Sequence, residues 1–219
     1  MQSAKIKQKD DIATVLHGIL AAAEVEFAEA GFEGAGMKAI ATRAQVSQAL
    51  LHYHFGNKDR LYSEVIRHRS RLINEARIAL LDDVDLGASD ALERVVDALF
   101  RPTLGPEGGG KAYARIFAGL IVGRARDQEL VRECYDPTAQ VFLKAMEQTG
   151  LNRVNAGMTY QFALGVLASV ISRDGRMERL MGKTGTTDNE ELIAALVGFV
   201  IGGTKTLQET GKSKSNWEE

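Results

Sequence analysis

The stretch MKAIATRAQVSQALLHYHFGNK, residues 37–58, decides the fold. Its apolar residues recur every three or four positions, which predicts two short helices at 37–44 and 48–54. Gln45-Val46 makes the turn between them, and Ser47 is well placed to cap the second helix. The pattern leaves a small polar and aromatic surface outside. Such a surface is typical of a helix presented to a DNA groove, and it is a poor match to a catalytic pocket.

Helical periodicity extends on both sides of this stretch. A first helix is expected at about 12–30, where the apolar positions form one stripe and Gly31 ends the run. Loops are expected at 101–110 and 174–187, where glycine, proline or charged residues cluster, although MERLM at 177–181 could form one helical turn. Without a convincing strand or an internal repeat, the fold class is all-α. The further helices are expected at about 58–81, 89–103, 110–125, 128–148, 154–172 and 189–207.

The composition is that of an ordinary globular chain, with 219 residues, 45% of them apolar, and a net charge of −2. A positive excess is confined to residues 1–71, which hold 10 Lys and Arg against 8 Asp and Glu. Cys134 is the only cysteine, so no internal disulfide is possible and a reducing cytoplasm is expected. The charged start lacks the apolar core of a secretory signal. The apolar runs at 162–171 and 192–203 are shorter than the about 20 residues that cross a bilayer, so no membrane partner is expected.

Four groups of residues at fixed spacing carry a family resemblance. They are VEFAEAGF at 25–32, Ile40-Ala41, Val46-Ser47 and LHYHFGNK at 51–58. Together, over roughly a quarter of the chain, they resemble the DNA-binding region of the TetR (tetracycline-repressor-like) family of bacterial transcriptional regulators.

This resemblance implies a division of the chain into three parts. An N-terminal three-helix helix-turn-helix DNA-binding domain is expected at 1–56. A C-terminal helical bundle for ligand binding and dimerisation is expected at 57–211, followed by a polar tail at 212–219.

Three positions depart from the family pattern. Ala35-Gly36 stands where the family usually has a threonine or serine hydroxyl for a phosphate, so only backbone amides remain there. Gln45 replaces the glycine of the turn, and His52 replaces a tyrosine. A histidine can still donate a hydrogen bond to a phosphate.

The second helix of the motif is expected to read DNA. Gln48 lies in its first turn, and its amide can bond adenine in a bidentate way. Ala49 lets the helix approach closely, with contact to a thymine methyl group. Lys58 could share a phosphate with the amides at a helix N-terminus, although a solvated lysine is the alternative. The complete predicted DNA-binding set is Gly36, Met37, Ser47, Gln48, Ala49, His52, Tyr53, His54 and Lys58.

The sequence provides no credible catalytic, cofactor or metal site. His52 and His54 lie two residues apart, on roughly opposite sides of a helix, so one ion cannot easily bind both. The run GPEGGGK at 105–111 has the spacing of a phosphate-binding loop, but Ala112 follows where serine or threonine would bind magnesium. All histidines are confined to the N-terminal part. We therefore expect a protein that is not an enzyme and has no cofactor.

The C-terminal helices carry aromatic and methionine residues at helical spacing. Most such residues are core, but those on facing helices can line an apolar ligand pocket. Arg115 or Arg124 could orient an acidic head group. The predicted pocket residues are Phe100, Tyr113, Phe117, Phe142, Met146 and Phe162.

Two late segments are apolar on more than one face, which favours a second buried surface. Gly198 and Gly202 permit close helix approach, and a two-fold four-helix interface is the economical arrangement. The predicted dimer-interface residues are Leu164, Leu167, Ile171, Leu196, Phe199 and Val200.

The leading hypothesis is a homodimeric repressor that binds a palindrome-like operator in double-stranded DNA. A small apolar or amphipathic effector would release it. The resemblance implies that the effector acts by changing the tilt of the long fourth helix. Two alternatives stay open. One is a protein of the same fold that is controlled by a protein partner, and the other is a helical carrier or enzyme for an apolar ligand that does not bind DNA.

Overall fold

The structure, a computed structural model, describes residues 2–122, 125–171, 175–182 and 187–215. Within these ranges it contains eleven α-helices and no strand, which confirms the all-α prediction. The helices are α1 (Gln2–Gly34), α2 (Met37–Arg43), α3 (Gln48–Phe55), α4 (Lys58–Asp82), α5 (Ala91–Leu104), α6 (Gly110–Val122), α7 (Gln128–Cys134), α8 (Asp136–Gln148), α9 (Arg153–Ile171), α10 (Arg176–Leu180) and α11 (Asn189–Ser215).

Internal contacts divide the chain into two compact units, Met1–Ser70 and Arg71–Glu219. The division falls inside α4, whereas the predicted DNA-binding domain ended at residue 56. The first turns of α4 belong to the N-terminal unit because they pack on α1. The ring of Tyr62 meets the ring of Phe27 edge-on, with centroids 5.0 Å apart.

The N-terminal unit is built on α1, which begins at Gln2, earlier than the predicted residue 12. Gly31 interrupts α1 with a positive φ of 70° and a ψ of 174°, and one further turn follows. The break returns Phe32 to the core, where its ring packs against Phe27 and Tyr62. The predicted role of Gly31 as a helix break is therefore confirmed, because glycine adopts this conformation without a Cβ clash.

The turn between α2 and α3 has the conformation that the sequence requires. Gln45 has a φ of 57°, so the residue that replaces the usual turn glycine adopts the left-handed backbone itself. Ser47 caps α3 as predicted, because its hydroxyl accepts a hydrogen bond from the amide of Leu50 at 3.1 Å. Ile40 and Leu51 are fully buried and hold the two helices against the unit's core.

In the C-terminal unit, α9 is the central helix and packs against α5, α6, α8 and α11. The core is apolar and aromatic, and it also contains the guanidinium of Arg77, which is 1% exposed. Fully or nearly fully buried members of this core are Val95, Leu99, Phe100, Tyr113, Phe117, Phe142, Met146 and Leu167.

Three predicted helix boundaries in this unit need correction. The loop expected at 101–110 starts later, because α5 continues through Pro102 to Leu104. The helix expected at 128–148 is two helices, since Pro137 lies in the first turn of α8, where proline starts a helix but cannot continue the preceding one. The final helix extends to Ser215, so the backbone of the predicted tail is helical as far as that residue.

One described helix, Arg153–Ile171, is long and apolar enough to cross a membrane by length and composition, with a mean hydropathy of 1.3. The run at 162–171 that the sequence analysis judged too short belongs to this longer helix. Core helices of globular proteins pass the same test, and 33% of the tested window is buried inside the structure.

Candidate nucleic-acid interface and regulatory cavity

Helix α3 exposes the side chains that were predicted to read DNA. Leu51 and Phe55 form its buried side, and Gln48, Ala49 and Tyr53 are exposed on the other side. Tyr53 is 82% exposed, although its ring meets that of His54 edge-on with centroids 5.0 Å apart. The helix therefore presents a polar, aromatic and small-residue surface, as a groove-reading helix does.

His52 takes part in hydrogen bonds within α3 and at its end. Its Nδ1 lies 2.7 Å from the carbonyl oxygen of Gly56, and its Nε2 lies 3.4 Å from the amide nitrogen of Gln48. A carbonyl oxygen only accepts, so Nδ1 donates, and Nε2 of the neutral ring accepts from Gln48. This arrangement orients the amide of Gln48 and leaves its oxygen available to a base.

The other predicted DNA-binding residues occupy different environments. Gly36 is exposed at the start of α2, where an added Cβ would meet nothing within 4 Å. Met37 and His54 are half-buried. Lys58 differs from the prediction, because its ammonium donates to the carbonyl oxygen of Glu33 at 3.2 Å and lies 4.6 Å from the ring centroid of Phe32. The end of α1 thus already holds this cation.

Within the C-terminal unit, a cavity of 310 Å³ lies between α4, α6, α7, α8 and α9. Its volume is at the lower end of the range for small-molecule sites. One group of lining residues is apolar, namely Phe117, Leu120, Ile121, Val131, Ala139 and Leu164. The other group is polar, namely Arg77, Gln128, Tyr135, Asp136, Tyr160 and Gln161.

The buried polar groups of the cavity lie close together. Tyr135 shares a short hydrogen bond of 2.5 Å between its hydroxyl and that of Tyr113. Desolvation raises the pKa of the Tyr135 and Tyr160 phenols, and the nearby charge of Arg77 opposes both shifts. Burial lowers the pKa of the Arg77 guanidinium, yet arginine keeps its charge at any pH at which the protein folds. The cavity therefore combines an apolar wall with a cationic end.

The predicted pocket residues are corrected by this geometry. Only Phe117 of the six lines the cavity. Phe100, Phe142 and Met146 are completely buried core residues. Tyr113 is also completely buried, and its hydroxyl is hydrogen-bonded to that of Tyr135. Phe162 is 56% exposed on the outside of α9.

The two candidate arginines for an acidic head group are also placed elsewhere. Arg115 is exposed and does not line the cavity, and Arg124 lies outside the described residues.

The predicted dimer residues divide into three groups. Phe199 is 70% exposed on α11, as an interface residue must be before assembly. Leu167, Ile171, Leu196 and Val200 are instead buried inside the protomer, because both helices use these positions to pack within the unit. Leu164 lines the cavity. The exposed apolar side chains on the outer face of α9 are Val154, Met158 and Phe162.

Arg77, Tyr135 and Tyr160 are cavity residues that sequence reasoning missed. A signal for Arg77 was present, because it lies four residues after Ile73 and four before Leu81 on the buried stripe of α4. A charged residue in an apolar stripe needs a compensating partner or a function. No comparable signal distinguishes the two tyrosines from ordinary core residues.

Comparison with known proteins identifies the family of this chain. The family model for bacterial regulatory proteins of the tetR family matches residues 19–65. The model for the tetracyclin repressor-like C-terminal domain matches residues 93–203. The chain belongs to the TetR family. It is a TetR-family transcriptional regulator, and regulators of this family bind DNA and dimerise.

A curated relative and several solved structures resemble this TetR-family member. The relative is the HTH-type transcriptional activator FasR of Mycolicibacterium smegmatis, which is 40% identical over 187 residues, covering 84% of this chain and 80% of FasR. The fatty acid degradation regulator FadR of Bacillus halodurans has 16% identity and a TM-score of 0.65, covering 86% of this chain and 95% of that one. FadR of Bacillus subtilis in complex with stearoyl-CoA has 16% identity and a TM-score of 0.62, covering 85% and 98%. At such low identity, the two structures show the shared fold alone.

Proposed function

We propose that this TetR-family regulator binds a palindrome-like operator as a homodimer and is released from it by a small amphipathic effector. The cavity of the C-terminal unit is the observation that carries the proposal. Its wall is apolar, and its few polar groups converge at one end, which is the usual character of a small-molecule site. A solid core would favour control by a protein partner instead.

The exposed apolar face of α9 and α11 supports the dimer. Val154, Met158 and Phe162 recur every four residues on α9, and Phe199 is 70% exposed on α11. Exposed apolar side chains that form a patch mark interaction surfaces. Gly198 and Gly202 have nothing within 4 Å of an added Cβ, so a second copy could approach the backbone closely. A two-fold dimer would place two α3 helices in successive major grooves, about 34–36 Å apart.

The relatives support an effector with an acyl chain. One neighbour of the same fold was solved in complex with stearoyl-CoA, and another is named a fatty acid degradation regulator. The apolar cavity wall of this chain suits such a chain chemically. Its volume of 310 Å³ lies at the lower end of the range for small-molecule sites, which favours a chain shorter than a stearoyl group.

Release from DNA can either raise or lower transcription, depending on where the operator lies. We favour a repressor, for which release permits transcription. Activation is the second candidate, because the relative with 40% identity is named a transcriptional activator. Transcription of the adjacent gene in vitro, with and without the protein, separates the two.

The experiment that tests the proposal is titration of the pure protein against its own upstream DNA by fluorescence anisotropy. We expect sequence preference and a steep loss of affinity as salt rises. Adding a series of acyl compounds should then weaken operator binding. Binding of an acyl compound without any change in operator affinity would contradict effector control. Absence of sequence-preferring DNA binding would favour the carrier alternative.

A cytoplasmic location and the absence of catalysis belong to the same proposal. The cavity has buried tyrosines and one arginine, and its polar set contains no histidine or cysteine that could serve as a base or nucleophile. Recovery of an acyl compound unchanged after incubation with the protein is expected. Its chemical conversion would contradict the proposal.

A further inference from the structure

The guanidinium of Arg77 is buried without a counter-ion. It is 1% exposed, and no carboxylate forms an ion pair with it in the part of the chain that the structure describes. A buried cation is strongly disfavoured unless opposite charge or hydrogen bonds compensate for lost water. A negatively charged ligand group in the cavity would offset this cost.

The protein satisfies only part of the hydrogen-bonding capacity of Arg77. Its Nε donates to the carbonyl oxygen of Leu99 at 2.9 Å, and its Nη2 donates to the hydroxyl of Thr103 at 2.9 Å. The Nη1 contact with the side-chain oxygen of Asn74 is long, at 3.4 Å. A guanidinium has five N–H donors, so two of them have no acceptor among the described residues.

Tyr160 provides a second unused donor at the same place. Its side chain lines the cavity and is 8% exposed, and its hydroxyl has no hydrogen-bond partner in the described ranges. Arg77 and Tyr160 line the same cavity, and the charge of Arg77 opposes the rise that burial causes in the pKa of Tyr160. The hydroxyl is open to the cavity, because Thr187 Oγ1 is the only described side-chain nitrogen or oxygen that is fully buried without a partner. A ligand oxygen in the cavity can therefore accept a hydrogen bond from it.

Phe117 links the hydrogen-bond donors Arg77 and Tyr160 to the apolar lining of the cavity. Phe117 contacts both regions, because the Arg77 guanidinium carbon lies 5.9 Å from its ring centroid and the ring also lines the cavity beside Leu120 and Leu164. Asp136 lines the cavity too, and its charge raises the pKa of Tyr160, but it is exposed and forms no ion pair with Arg77 among the described residues. A ligand that matches both regions has an anionic oxygen group at one end and an apolar chain at the other.

We propose that the cavity binds a medium-chain carboxylate whose carboxyl group accepts hydrogen bonds from Arg77 and Tyr160. The inference rests on the proposed function and deepens it by naming the chemical class of the effector. The carboxylate is deprotonated at neutral pH and replaces the missing counter-ion. Charge-assisted bonds of this kind are stronger than neutral ones, and arginine can make two of them at once.

The test is isothermal titration calorimetry on the full chain with octanoate, octan-1-ol and octanoyl-CoA. Octanoate has about ten non-hydrogen atoms and is a small amphipathic probe suited to a cavity of 310 Å³. We expect octanoate to bind at least about tenfold more tightly than the alcohol, which lacks the charge. Equal binding of acid and alcohol, or no binding of either, would overturn the proposal. Tighter binding of octanoyl-CoA that does not depend on Arg77 would also overturn it.

Variants of Arg77 and Tyr160 test whether these two donors cause the preference for octanoate over octan-1-ol. Tyr160→Phe removes one hydroxyl with little change of shape, and it should reduce octanoate affinity several-fold while leaving octan-1-ol unchanged. Arg77→Gln should abolish the preference for the acid. Arg132→Gln is the matched control, because Arg132 is an exposed arginine on α7 next to the lining residue Val131. The same loss in Tyr160→Phe and Arg132→Gln would contradict the assignment.

The wild-type ligand series and Tyr160→Phe keep the test decisive if Arg77→Gln does not fold. Operator affinity measured in parallel separates this inference from the proposed function. Arg77-dependent octanoate binding that leaves operator affinity unchanged supports the inference and contradicts effector control. Operator release by octan-1-ol as readily as by octanoate overturns the inference and supports effector control.

Discussion

The guanidinium of Arg69 donates to both carboxylate oxygens of Glu24, at 3.0 and 3.1 Å, and thereby joins α4 to α1 inside the N-terminal unit. The Glu24 side chain is only 7% exposed, so the pair lies largely out of water. Desolvation raises the pKa of Glu24, and the hydrogen bonds and charge of Arg69 reduce this shift without cancelling it.

The raised pKa of Glu24 predicts a pH dependence of stability with a defined sign. A carboxyl whose pKa is higher in the folded state binds its proton more tightly there. Its contribution to the free energy of unfolding is therefore fully present below the ordinary value of 4.5 and is lost as the pH rises through the folded-state pKa. Glu24→Gln cannot titrate. In urea unfolding, wild type should gain stability relative to Glu24→Gln as the pH falls from about 7 to about 4, and the opposite trend would contradict the assignment.

The orientation of the Gln48 amide by His52 predicts a loss of base discrimination in Gln48→Ala. A bidentate amide contact is worth about 1–3 kcal/mol between the right and the wrong base. Affinity for the natural operator should fall by this amount, and affinity for an operator changed at the contacted base pair should fall much less. The salt dependence should stay the same. A uniform loss on both operators with a shallower salt dependence would instead assign Gln48 to a phosphate.

The left-handed backbone of Gln45 predicts that glycine stabilises the turn. A side chain at a φ of 57° costs about 1–2 kcal/mol, and the greater freedom of glycine in the unfolded chain offsets about 0.4–1 kcal/mol of the gain. Gln45→Gly should therefore raise the free energy of unfolding by up to about 1.6 kcal/mol, measured by urea denaturation. Gln45→Val should lower it, because a branched side chain tolerates this conformation poorly. Equal free energies of unfolding for Gln45→Gly and Gln45→Val would show that the turn changes its backbone conformation when residue 45 is replaced.

The exposure of Phe199 predicts that a charge on α11 disrupts the dimer. Phe199→Glu would place two carboxylates in the proposed two-fold interface, where neither is solvated. Sedimentation equilibrium should show monomers at concentrations that leave wild type dimeric, and operator affinity should fall with the dimer. Leu180→Glu is the matched control, because Leu180 is 73% exposed on α10, a helix that the proposed interface does not include, and the variant should leave the dimer intact. If Leu180→Glu dissociated the dimer and Phe199→Glu did not, the interface would lie elsewhere on the protein.

Much of the N-terminal unit could be predicted from residues close together in the chain. The two short helices, the capping hydroxyl of Ser47 and the break at Gly31 follow from local rules, and the structure contains all three. Lys58 was harder to predict, because the carbonyl oxygen of Glu33 that it binds lies 25 residues away.

The amino-acid sequence by itself determined that the chain is helical, where most helices begin and end, and which short helix presents a DNA-reading surface. These features depend on neighbours within a turn or two, so periodicity and capping residues specify them. Only the tertiary structure decided which aromatic residues fill the core and which line a cavity. Phe117 and Phe142 have the same apolar chemistry, and their different roles arise from what the facing helices bring against them. For the same reason, only packing revealed that Arg77 has no counter-ion among the described residues and lines the same cavity as Tyr160.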